Sequence, residues 1–167
     1  MLSAPGLLTE DAQLDRVREK LDAKLQNMIE DAGFKLLAWG DGGKNRVFSS
    51  SAFASPADLA GKPAWAGKDN AIGMAYAKAL GTNGSLGVVP ASAMSAVAFQ
   101  WYTQLKHMTS SNFNIIVGGS VISKKKFDEL NKADQQTLLD TAKRAASKLD
   151  QIVGRDDDRA YQTLLTR

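Results

Sequence analysis

Residues able to do covalent chemistry are scarce in this chain of 167 residues. Its one histidine, His107, stands among Leu105, Lys106 and Met108, with no GxSxG, HExxH or second ligand at a usable spacing, so it reads as a structural or surface residue. The absence of cysteine removes a thiol nucleophile, thiolate metal sites and a disulfide framework. Asp41-Gly42-Gly43-Lys44 is glycine-rich but lacks the G-x-x-x-x-G-K-S/T spacing and following helix of a phosphate loop. Asp156-Asp157-Asp158 lacks the alternate spacing and bidentate glutamate of a calcium loop and reads as a helix-terminal charge run. Lys124–Lys126 reads as a solvated face. No enzyme and no cofactor is expected.

The remaining candidates are aromatic and polar residues suited to holding a small solute: Trp39, Arg46, Trp65, Asn70, Trp101 and Tyr102. Rigid aromatic walls supply burial, and an arginine or amide fixes a carboxylate, which together make an organic-anion pocket. Core packing is the alternative for the tryptophans.

Short strands and helices must position these groups. Leu7–Ile29 carries Leu14, Val17, Leu21, Leu25, Met28 and Ile29 on one stripe of a helix that Gly33 stops. Phe34–Trp39 and Arg46–Ser50 read as strands of a hairpin turning at Gly40–Gly43. Ser55-Pro56-Ala57-Asp58-Leu59 has the residues of a capped helical turn. A strand is expected at Ala64–Ala66, a helix over Ala71–Leu80, and a strand at Leu86–Val89. Ala91–Met108 contains no glycine or proline and predicts one continuous helix. Phe113–Ile122 reads as a strand with a bulge or bend at Gly118-Gly119, and Lys124–Leu130 as a helical turn. From Ala133 a long helix runs on, weakened at Gly154 and the aspartate run. Alternating helices and strands give the α/β class.

The order of these pieces resembles the solute-binding proteins of TRAP-type transporters, the DctP-like family. The resemblance rests on Gly33-Phe34, Ala38-Trp39-Gly40, Phe48-Ser49, Ser55-Pro56-Ala57-Asp58-Leu59 and Gly61, then Ala79-Leu80-Gly81. It continues through Phe99-Gln100-Trp101-Tyr102, Leu105-Lys106-His107-Met108-Thr109, Val121-Ile122-Ser123-Lys124-Lys125 and Phe127-Asp128-Glu129-Leu130. It implies part of a type II periplasmic-binding-protein fold, in which two α/β lobes close over a ligand, with this chain as roughly the C-terminal half. It also implies a long C-terminal helix, a periplasmic location, membrane permease partners and a small organic acid as solute. Two departures stand out. The glycine-containing strand that the family carries before its QW segment is missing near Val97-Ala98. Trp65 occupies the position where many members carry the arginine that forks onto the ligand carboxylate.

Composition agrees with a globular protein: 44% hydrophobic, 23% charged, and a net charge of +3 spread along the chain rather than clustered as a nucleic-acid footprint. No apolar run reaches the roughly 20 residues that span a bilayer. MLSAPGLLTEDAQ lacks the basic start and apolar stretch of a secretory signal, so any export signal is expected to be absent from this chain. The expectation is one α/β domain over residues 1–167, part of a two-lobed binder. With one lobe incomplete, apolar surface or an open sheet edge is left for self-association as a possible homo-oligomer. The competing reading is a truncated or engineered module that no longer binds solute and only self-associates.

Overall fold

The computed structural model describes residues 2, 4, 6–64, 74, 75, 78 and 87–167. Its organising element is β1, Phe34–Ser49, a continuous strand of 16 residues. The expected hairpin is therefore corrected, because the two apolar segments lie end to end and find their partners elsewhere. On one edge β2 (Val88–Ser92) pairs antiparallel from Asn45↔Ser92 to Ser49↔Val88. On the other edge β4 (Asn114–Ser123) pairs from Phe34↔Ser123 to Asn45↔Asn114, followed by the two-residue β3 (His107–Met108) opposite Phe48 and Ser49.

The glycines at the expected turn relieve register instead of reversing the chain. Extra residues in β1 between Leu36 and Ala38 and between Asp41 and Lys44 form bulges, the second containing Gly43 at φ 96°, a left-handed conformation favoured by glycine. Gly118 and Gly119 lie opposite Gly40 and Trp39 rather than forming a bulge of their own. A Cβ on Gly119 would stand 3.0 Å from Leu36 Cδ1 and 3.3 Å from the Ala38 carbonyl, so its missing side chain permits close approach.

Helices pack on this sheet. α1, Asp11–Asp31, starts where the Gln13 side-chain oxygen accepts from the Thr9 and Glu10 amides. It buries Leu14 beside Leu8 and Ile115, whereas Met28 at its far end stays exposed. A 3-10 turn at Pro56–Leu59 matches the expected capped turn, with Asp58 accepting from the Ala54 and Ser55 amides.

The predicted helix over Ala91–Met108 is corrected. Ala91 and Ser92 belong to β2; Ser92 Oγ caps α2, only Ala93–Ala98, by accepting from the Ser95 amide. Gln100 then takes φ 56° and leads into a 3-10 turn, Trp101–Thr103, before the chain extends into β3. Helix propensity favoured continuing, but burial outweighs it here. The sharp turn lets Leu105, Met108 and Trp101 pack against Phe48, Val89 and Ala96 in the main apolar cluster.

After α3 (Lys124–Asp128), α4 runs for 34 residues, Lys132–Leu165, about 50 Å at 1.5 Å per residue. Asn131 caps it by accepting from the Asp134 amide. It passes through Gly154 and the aspartate run without interruption, which corrects the expected weakening. The Ala64 partner of β2 is a single parallel bridge to Val88. Trp65, Ala66, Leu86 and most of the helix expected over Ala71–Leu80 lie outside the described residues.

Candidate functional site

Because β1 does not fold back on itself, its middle lies open between α1 and α4, and the polar groups of both helices meet there. The Trp39 indole N–H donates to Asp22 at 3.4 Å, while the Arg18 guanidinium stands 5.2 Å from the Trp39 ring. Arg18 also forks onto Asp41, at 2.6 and 3.1 Å, the planar geometry that suits a guanidinium and a carboxylate. The Asp41 amide in turn donates to Asp150 of α4 at 2.9 Å. Two depressions adjoin along this groove and share Asp150 and Gln151.

The larger, of ≈ 580 Å³, has Trp39 as its aromatic wall with Lys35, Lys143, Asp22 and Gln26 around it. Its mixture of cations, an amide and an indole can orient a polar solute. The other, of ≈ 380 Å³, is lined by Asp11, Asp15, Asp41, Asp150, Asp157 and Asp158 against only Arg18 and Lys44. A carboxylate solute would meet repulsion there. Lys44 is already engaged: its bond to Asp11, at 2.9 Å, holds its pKa above the ordinary lysine value despite partial burial.

A third depression, of ≈ 400 Å³, lies between the Trp101–Met108 segment and the last turn of α4. Tyr102, Lys106, His107 and Arg167 edge it over Phe48, Leu105 and Met108. Among the described residues no three metal-ligating side chains gather, and no helix is long and apolar enough to cross a membrane.

The candidate residues read from the sequence therefore occupy separate places. Trp39 lines the groove on β1. Arg46, on the same strand, is 9% exposed, with its guanidinium 3.9 Å over the Tyr161 ring and donating to the Ser110 carbonyl, so it ties α4 and the β3–β4 connection to β1. Trp101 packs at the edge of the main apolar cluster and stacks on Phe99 at 5.2 Å. Tyr102, its neighbour, lines the third depression under Arg167. Trp65 and Asn70 lie outside the described residues.

The sequence reading made none of Arg18, Asp41, Asp150 and Asp157 a site residue, meeting Asp41 only in the glycine-rich turn and Asp157 only in the aspartate run. Asp157 carried a usable signal: it shares one helical stripe with Val153, Ala160 and Leu164, and an aspartate on an apolar stripe calls for buried donors.

This arrangement, a long strand paired on both edges with helices packed across it and a long C-terminal helix, superposes on TRAP periplasmic solute-binding proteins. DctP7, a Bordetella pertussis extracytoplasmic solute receptor binding pyroglutamic acid, superposes with a TM-score of 0.85 at 16% identity, over 99% of this chain and 60% of that one. A Xanthobacter autotrophicus protein with bound β-D-galacturonate gives 0.83 at 18% identity, over 99% and 60%. One from Desulfovibrio salexigens with bound orotic acid gives 0.77 at 17% identity, over 99% and 57%. The chain thus spans about three-fifths of the length of these structures.

Residues 90–166 match the family DctP, described as bacterial extracellular solute-binding protein, family 7. The resemblance to TRAP-type solute-binding proteins read from the motifs is thereby borne out, as is the α/β class with its long C-terminal helix. No curated protein matches the sequence.

Proposed function

We propose that this chain is the solute-binding component, or a large part of one, of a TRAP-type transporter. In this reading it captures a small organic acid or related solute in the periplasm and delivers it to membrane permease subunits, without catalysing a reaction. The observation that carries the reading is the agreement of fold with receptors whose structures hold galacturonate, pyroglutamic acid and orotic acid. Residues 1–167 act as one α/β unit of a two-lobed binder, and the Trp39 groove is the wall this unit offers to the solute. With Trp65 in place of the family's forked arginine, Lys143 is the cation of that groove that we assign to a carboxylate, since Lys35 already pairs with Glu30 at 2.6 Å.

A thermal-shift screen over uronates, pyroglutamate, orotate and dicarboxylates tests this. A solute at a hundred times its dissociation constant adds about 2.7 kcal/mol of stability. A uniformly flat screen overturns the receptor reading for this chain. It would favour the second reading, a self-associating module without solute, which the exposure of Leu149 and Ile152 on α4 supports.

A further inference from the structure

We propose that the depression between the Trp101–Met108 segment and the end of α4 binds a small monocarboxylate with an aromatic or aliphatic body. The floor and the rim make different demands, and this ligand meets both. The floor is apolar: Phe53, Met108 and Leu164 are half-buried and Leu165 is 57% exposed, with the buried Phe48 and Leu105 beneath them. The rim is basic. Lys106 and His107 leave the segment on one side, and Arg167 on the other lies 5.5 Å from the Tyr102 ring.

Among the described residues no aspartate or glutamate side chain lines this depression, whereas the acidic one beside Lys44 is lined by six aspartates. The side chains thus separate their charges: a carboxylate is repelled on one side of β1 and met by Lys106 and Arg167 at this end. A volume of ≈ 400 Å³ falls at the lower end of the roughly 300–1,000 Å³ typical of small-molecule sites. The ligand's apolar body takes the floor of Phe53, Met108 and Leu164, and its carboxylate faces Lys106 and Arg167. A hydrophilic acid such as a uronate would leave the floor unused. The inference does not rest on the receptor reading, which places a polar solute against Trp39.

The chain's single histidine supplies a local probe, because only His107 contributes an imidazole Cε1–H proton resonance. Titrating the protein with 2-naphthoate should displace that resonance saturably. The neutral isostere 2-naphthalenemethanol, which fits the floor but leaves the rim unmet, should bind about tenfold more weakly, as two partly exposed charge contacts imply. Lys106 and Arg167 are exposed, so the double variant K106Q/R167Q keeps the fold; it should lose about tenfold for 2-naphthoate and leave the alcohol unchanged. An unmoved His107 resonance, equal affinity for acid and alcohol, or an unaffected double variant would each overturn the site. A thermal shift registers a ligand bound anywhere on the chain, so a stabilising acid that leaves the His107 resonance unmoved is assigned to the Trp39 groove, and either proposal can fail without the other.

Discussion

Asp157 is the side chain through which the long helix grips the strand. Its carboxylate is 5% exposed and accepts from the Met94 amide at 2.9 Å and the Lys44 amide at 3.3 Å, joining α4 to the start of α2 and to the bulge in β1. Gly43 fits beside it; a Cβ there would approach the carboxylate to 3.3–3.4 Å. Asp157→Ala strands two partly buried amide donors and should cost about 1–3 kcal/mol, whereas Asp157→Asn keeps one acceptor oxygen and should cost about half as much. Urea midpoints at unchanged slope measure both; equal losses would show that the hydrogen bonds are not the source. The sequence suggested a helix end here because three adjacent aspartates look solvated. Two of them need not be buried for the middle one to be, since successive helical residues point about 100° apart.

At the scale of elements, the local signals were legible and the pairings were not. Strand composition, the Ser55 turn and the final helix all stood in the residues themselves. Gly40–Gly43 satisfied the chemistry of a hairpin turn and of a bulge equally well. Only β4, 69 residues away at the Asn45–Asn114 contact, decides between them. Likewise, the run from Ala91 to Met108 has helical propensity throughout, and what ends α2 is the packing of Leu105 and Met108 onto Phe48. That ending forces Gln100, exposed and non-glycine, to φ 56°. Gln100→Gly should therefore stabilise the protein by up to about 1 kcal/mol, and Gln100→Val should destabilise it by more than about 1 kcal/mol. Thermal unfolding of the two variants checks both signs, and a stabilising valine would remove strain from the account.

At the scale of the whole molecule, the apolar faces of the described elements are only partly covered. Much of what the sequence marked as buried is not. Met28 on α1 is 60% exposed, Phe34 46%, Val121 49% and Leu149 on α4 54%. The motif order made the architecture readable, and the burial expectation failed because, among the described residues, the stripes of α1 and α4 leave Met28, Leu149 and Ile152 exposed. Self-association is the expected outcome. Light scattering at micromolar concentration should report a dimer or larger species, and Leu149→Lys with Ile152→Lys should shift it toward monomer. A clean monomer from the unaltered chain would count against it.

The continuity of β1 also sets the order in which the chain can fold. The described strands that pair with it, β2, β3 and β4, all come later in the chain, and the Lys44–Asp157 bond closes over 113 residues. During synthesis both edges of a 16-residue strand wait unsatisfied until residues 88–123 have emerged, and its bulge waits for the last helix. Loop closure on that scale must precede the contacts that reward it, so folding is slow relative to a protein of local hairpins. An uncovered strand is meanwhile a template for intermolecular pairing. Whatever holds the nascent chain apart until β4 arrives governs how much of it reaches the native sheet.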